Sequence, residues 1–341
     1  MTDKQWNNLI KVLNGEVLSP LPVGFIIDSP WLPNWHGIRI VDYFTSDELW
    51  LRANFKAIDE FPGVMFLPGF WSEYGMCGEP SAFGARVAFP ANEFPHAFPN
   101  LKSPDEIRNV KKPHASRDGL APFILNRLKI NQKAIEDKGH RIRFSVSRGP
   151  LNIASYLMGT TEFMMALMTH PQEAHLLIRT ITDYLKELHH LQRETFPTID
   201  GMLVLDDIIG FISKEQFVEF GLPYFKELFE GDLSVKFLHN DANCMESVEF
   251  LPEMGVNLFN MGYDTDLNKL KQLTENKVTM LGNLPPRDVL AKATPEEVAS
   301  ATRSMIDSLN DPSRVILSCG GGMPPGVSSE NLRAFTEAVK G

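Results

Sequence analysis

From about residue 200 to the C-terminus, short apolar runs stop abruptly at polar residues, and a helical pattern follows each stop. Residues 202–205 end at Asp206-Asp207, and Ser213 then opens a helix through Phe217, Phe220 and Phe225. Residues 235–238 end at His239, with a helix expected over 245–254. Residues 256–259 end at Asn260, ahead of Leu267, Leu270 and Leu273. Residues 278–281 end at Gly282-Asn283, and Thr294-Pro295-Glu296-Glu297 then reads as a capping box with proline in the first turn. Residues 315–317 end at Ser318-Cys319, before a last helix from Ser329 through Leu332 and Phe335. Unbroken apolar runs bounded by turn residues read as strands buried on both faces, and their alternation with helices dictates a parallel α/β sheet.

The first 200 residues supply three more strands: 23–27 ending at Asp28, 64–67 ending at Pro68, and 144–146 ending at Arg148. Thr45-Ser46-Asp47-Glu48 caps a helix through Leu49 and Phe55, and Leu177, Ile181, Leu185 and Leu188 share one face of another. Eight strands alternating with helices point to a (β/α)8 TIM barrel rather than an open sheet. Residues 70–130, rich in Phe, Pro and Gly, are too long for an ordinary connection and read as a lid or pocket wall. With no internal repeat and no low-complexity linker, residues 1–341 are expected to form one domain.

A net charge of −10 argues against nucleic-acid and anionic-membrane partners, which need a basic surface. No apolar stretch approaches the roughly 18 residues of a membrane span, and the N-terminus has no signal-peptide pattern. Three scattered cysteines (Cys77, Cys244, Cys319) do not make a disulfide framework, so a cytoplasmic location is expected.

Barrel chemistry sits at the carboxyl ends of strands. His239, Asp241 and Cys319 at such ends form a zinc-ligand set with a fourth position open. Against this, His239 can be a satisfied buried histidine, and Cys319 or Cys244 a small buried hydrophobe. Asp206 and Asp207 either cap the next helix or join the site. Trp31 and Trp35 after the first strand, with Phe70, Trp71 and Tyr74 in the insertion, are core or the wall of an aromatic pocket. Gly320-Gly321-Gly322 lacks dinucleotide-fingerprint spacing and suits close backbone approach to a ligand. His175 and His189-His190 lie on an amphipathic helix and read as a solvated face.

Several segments in order resemble the uroporphyrinogen decarboxylase superfamily. They are Gly149-Pro150-Leu151-Asn152-Ile153-Ala154, Thr169-His170-Pro171, Asp206-Asp207-Ile208-Ile209-Gly210, Gly282-Asn283-Leu284-Pro285-Pro286 and Gly320-Gly321-Gly322-Met323-Pro324. The resemblance is tight from residue 149 onward, looser before it, and implies a (β/α)8 barrel. The superfamily's decarboxylases grip a polycarboxylate with an arginine-rich motif near the first strand. Here that place reads Ser19-Pro20-Leu21-Pro22-Val23, with only Arg39 and Arg52 among the first 60 residues, and Gly321 stands where those enzymes carry a terminal-loop histidine.

The chain looks closer to corrinoid-dependent methyltransferases, whose zinc is held by a His-x-Cys pair and a later Cys. His239 matches that histidine, Asp241 stands in place of the first Cys, and Cys319 lies two residues before the second. Leu238-His239-Asn240-Asp241, with Trp71-Ser72-Glu73-Tyr74-Gly75, resembles the substrate-side component of O-demethylase systems. The resemblance implies zinc-assisted transfer of a methyl group from a methoxylated aromatic to Co(I) of a separate corrinoid protein. Tyr156 matches a superfamily pocket position, and Asp241 or Glu73 would serve as general acid if no metal binds. The sequence is compatible with a homodimer but does not fix the oligomeric state.

Overall fold

The computed structural model describes residues 1–27 and 30–341; the expected end of the first strand at Asp28 lies outside the described residues. Eight parallel strands form the framework: β1 Gly24–Ile26, β2 Met65–Leu67, β3 Phe144–Arg148, β4 Gly201–Leu205, β5 Val235–Asn240, β6 Leu258–Met261, β7 Thr279–Leu284 and β8 Val315–Cys319. β3 to β8 make one continuous sheet in sequence order, β1 pairs with β2, and a Val23–Leu317 bridge joins β1 to β8. The fold is a TIM barrel, as the alternation of runs and helices predicts.

One seam stays open. Among the described residues no ladder joins β2 to β3, which leaves a strand edge with unpaired backbone groups. Gln192 answers it: its side-chain amide accepts from Val146 N at 2.9 Å and donates to Val146 O at 3.0 Å, standing where a neighbouring strand would be. His189, one turn earlier on the helix Pro171–Thr195, is fully enclosed, with its ring nitrogens 2.9 Å from Ser145 Oγ and 2.8 Å from Ser147 Oγ. This corrects the expectation of a solvated face at that position.

Side chains alternate across each strand. Leu203 and Leu205, Val235 and Phe237, Leu281, and Ile316 pack together inside the barrel. Val204, Leu238, Met280, and Val315 with Leu317 face the helices. The N-terminal helix Asp3–Leu13, opened by a Thr2–Gln5 capping box, plugs the interior with Trp6, Leu9, Val12 and Leu13. Each such side chain contributes roughly 1.5–3 kcal/mol on burial.

Between β2 and β3 the chain forms a short helix Gly78–Ala82, a two-rung antiparallel ribbon and a 3-10 turn Pro104–Asn109, then the helix Ala121–Asp137. Up to about residue 120 the segment thus adds only short elements, and the last part of the expected 70–130 insertion is a barrel helix. The helix expected over 245–254 is absent, and only a 3-10 turn Val248–Phe250 forms there. The Ser213 and Thr294 capping boxes are both formed. No helix among the described residues is long and apolar enough to cross a membrane.

Candidate metal and catalytic site

Asp207, His239 and Asp241 meet at the carboxyl ends of β4 and β5. Each offers one ligand atom, and these atoms lie within 4.8 Å of one another. The meeting follows from strand alternation: 203, 205 and 207 continue one inward row, and 235, 237, 239 and 241 continue another. His239 is only 6% exposed. Its Nδ1 sits 2.7 Å from Oδ1 of Asn260, the residue paired with it across the β5–β6 ladder. Asn260 in turn donates to Leu281 O at 2.7 Å, so its carbonyl faces the ring and Nδ1 carries the proton. That leaves Nε2 open towards the cleft, 3.7 Å from Asp207 Oδ1. The same Asp207 oxygen accepts the Asp241 backbone N–H at 3.1 Å. Burial raises the Asp241 carboxyl above the ordinary carboxylate range; His239 opposes the rise and Asp207 adds to it.

The triad opens into a cleft of about 300 Å3 at the barrel mouth, also lined by Glu73, Arg148, Tyr156, Arg287 and the glycine loop at Gly320 and Gly322. Gly321, at φ +70°, lies against Asp241: a Cβ there would stand 3.0 Å from the Asp241 side chain. The loop glycines thus shape the site by letting backbone pass close to a ligand residue. Burial pushes the Tyr156 phenol up to about 12, so it stays a hydrogen-bond donor. Glu73 is 4% exposed and lies 3.5 Å from the Arg148 guanidinium. Arg148 also donates its backbone N–H to buried Glu79 at 2.7 Å, and burial raises the Glu79 carboxyl.

Several expected site residues stand elsewhere. Cys319 is outside the triad because 315, 317 and 319 form the outward row of β8. Its side chain packs in the layer between barrel and helices, fully buried, and burial pushes the thiol up to about 12. Cys244 is likewise buried in the core. Asp206 faces outward from β4 and accepts the backbone N–H groups of Leu151 and Asn152 at 2.9 and 3.1 Å. It thereby caps the helix Pro150–Met158, while burial pushes its carboxyl up to about 8. Gly149 is required beside it, since a Cβ there would stand 2.3 Å from Asp206 Oδ2.

Trp31 and Trp35 line no part of the cleft. They stack at 4.7 Å in the helix layer and donate to Val327 O and Ser329 Oγ, fastening the segment after β1 to the C-terminal helix. Phe70, Trp71 and Tyr74 do line a cavity, but it lies behind the open β2–β3 seam, and neither Trp31 nor Trp35 reaches it. Sequence reasoning passed over Arg148, Arg287, Glu79 and Asn260. For Arg148 and Asn260, the strand-end position was an available signal.

The profile of the uroporphyrinogen decarboxylase (URO-D) family matches residues 5–341. Uroporphyrinogen decarboxylase of Schizosaccharomyces pombe is 22% identical and aligns over 99% of this chain and 98% of its own length. The enzyme of the same name from Vesicomyosocius okutanii is 22% identical over 76% of this chain and 75% of its own. Among solved structures, a methyltransferase from Methanosarcina mazei superposes with a TM-score of 0.80 at 18% identity, covering 97% of this chain and 96% of that one. A B12-independent methionine synthase from Shewanella sp. W3-18-1 superposes at 0.52 with 12% identity, covering 87% and 90%. At such identities the superpositions speak for the fold. The profile spans nearly the whole sequence, and the chain belongs to the uroporphyrinogen decarboxylase family.

Proposed function

We propose that this protein transfers a methyl group from a methoxylated aromatic to the Co(I) of a separate corrinoid protein, with zinc in the Asp207–His239–Asp241 site. The observation that carries the reading is the convergence of three inward-facing ligand atoms within 4.8 Å at the cleft. A divalent cation suits them: two carboxylates balance its charge, and the imidazole has its second nitrogen already fixed by Asn260. An oxygen-rich set is harder than one with thiolates and favours an ether oxygen over sulfur as the fourth ligand. Zinc bound there supplies Lewis-acid polarisation of the departing oxygen.

The chain's own residues do the rest. Asp207, His239 and Asp241 hold and orient the cation. Tyr156 donates a hydrogen bond towards the departing phenolate oxygen, and Glu73 pairs with Arg148 in the cleft wall. Asp206 acts at one remove, by fixing the helix that carries Tyr156. The corrinoid partner docks over the strand ends, where the cleft opens.

The competing reading is decarboxylation of a porphyrinogen, suggested by the relatives' names and by Arg148 and Arg287 in the cleft. Of these two arginines, Arg148 already faces Glu73. One assay separates the readings. Methoxyarene demethylation that needs both zinc and a reduced corrinoid protein supports methyl transfer. Turnover of uroporphyrinogen without cobalt or zinc sinks it.

A further inference from the structure

The seam between β2 and β3 is not filled by protein. Residues 70–75, which follow β2, and residues of β3 line a cavity there of about 50 Å3, closed on the outside by the helices Ala121–Asp137 and Pro171–Thr195. A water's share of liquid volume is roughly 30 Å3, so the space takes one or two waters and no aromatic ring. Two hydroxyls of lining residues, Ser72 Oγ and Tyr184 Oη, have no hydrogen-bond partner, although the residues are 2% and 0% exposed. Burial raises the Tyr184 phenol, so it keeps its proton to donate. The polar groups beside them are already committed. Gln192 is bound to Val146 through both ends, Ser147 Oγ meets His189 at 2.8 Å, and Glu79 Oε1 accepts the Arg148 backbone N–H at 2.7 Å. A buried hydroxyl without a partner carries its full desolvation penalty, and native folds complete such groups with protein or with ordered water.

We propose that the seam cavity is a site for ordered water, one or two molecules, hydrogen-bonded to Ser72 Oγ and Tyr184 Oη in place of the missing β2–β3 ladder. Water suits the wall better than an ion or a void. Arg148 faces Glu73 at 3.5 Å, and burial raises the Glu79 carboxyl towards its neutral form, so the charges present call for no counter-ion. Cavities that stay dry are lined by apolar groups, whereas this one carries two unanswered hydroxyls. The water completes what two side chains begin. Gln192 and Glu79 satisfy backbone groups of Val146 and Arg148 on the β3 edge. The water ties the segment after β2, through Ser72, to the helix Pro171–Thr195, through Tyr184. The inference concerns the barrel itself and holds whether or not the cleft transfers methyl groups.

The test combines crystals of the full-length protein that diffract well enough to show waters with thermal melts of two conservative variants. Density for water within hydrogen-bond distance of both hydroxyls is expected. Tyr184→Phe removes one hydroxyl and keeps the ring, and the sign of its effect is diagnostic. Were the hydroxyl unpaired, its removal would relieve a desolvation penalty and raise the melting temperature. With water bound, its removal strands that water and lowers the melting temperature by about 1–4 °C. Ser72→Ala is expected to lower it by a similar amount, and both changes are small enough to leave the fold intact. Melting temperatures that rise or stay unchanged in both variants overturn the inference, as does a cavity without water density. Xenon entering the cavity in pressurised crystals also overturns it, because that marks a dry space.

Discussion

The barrel mouth and the barrel's open seam each bury a histidine, and the two rings are wired in opposite ways. His239 gives one nitrogen to Asn260 and turns the other towards two carboxylates and a cleft. His189 places both nitrogens against serine hydroxyls and faces no cavity with either. One imidazole is left half-satisfied and available; the other is a closed rivet between a helix and an edge strand. Burial alone does not separate a ligand from a structural histidine, since the residues are 6% and 2% exposed. What the second nitrogen meets does separate them.

Exchanging each histidine breaks this contrast most directly. His239→Ala is expected to lose the bound zinc and slow methyl transfer by on the order of a thousandfold, the several kcal/mol a Lewis acid supplies. Without metal its stability should fall by no more than about 1–3 kcal/mol, the cost of leaving Asn260 Oδ1 unpaired. Elemental analysis, rate measurements and a melt on one preparation check all three. His189→Gln is expected to do the reverse, costing about 2–4 kcal/mol of stability through the unpaired serines while zinc content is kept.

The same histidine also predicts a pH dependence. Burial, with Arg193 adding to it, lowers the His189 pKa from 6.5 to about 3. Between those values the unfolded chain binds a proton that the folded chain refuses. Stability therefore falls as the pH drops below about 6.5 and stops falling from this source below about 3. The total is at most about 5 kcal/mol. Denaturant melts across that range should show a shallower acid slope in His189→Gln, and an unchanged slope would mean the ring is protonated in the fold.

The contrast also explains what could be read in the sequence. Strand ends stood out because apolar runs stop sharply, and all eight barrel strands lie where those runs are. Which strand-end residue faces inward did not stand out. A strand buried on both faces has no polar alternation to reveal its inward row. Asp206 and Asp207 therefore looked equivalent, although one caps a helix and the other faces His239. Cys319 looked like a ligand because it ends a strand, yet it shares the outward row with Val315 and Leu317. His189 was misread for a related reason: a polar residue on an amphipathic helix signals solvent, unless a gap in the sheet presents hydroxyls to it. The Trp31–Trp35 pair shows the limit of aromatic clustering, which marks core as readily as pocket.

A smaller effect sharpens the comparison at His239 itself. Asn260→Leu keeps the approximate volume and removes the carbonyl that fixes the ring. Zinc affinity is expected to fall about 10- to 100-fold, the usual scale for losing a partner behind a metal-bound histidine. Competition with a chelator of known affinity measures it. Affinity unchanged by the substitution would mean that Nε2 is not the nitrogen presented to the metal.

The smallest expected effect falls on a residue that the sequence suggested as a third ligand. Cys319 lies two residues before the inward-packed Gly321, close in sequence to the triad but pointing the other way. Its thiol is fully buried among apolar side chains, and burial pushes it up to about 12, far from the thiolate that a metal needs. Cys319→Ala should therefore leave zinc content and affinity unchanged and cost about 1 kcal/mol through the small void it opens. Paired with His239→Ala it makes a sharp test. If Cys319→Ala loses zinc as His239→Ala does, the β8 end must turn inward in the loaded protein. The ligand set would then be imidazole, carboxylate and thiolate rather than imidazole and two carboxylates.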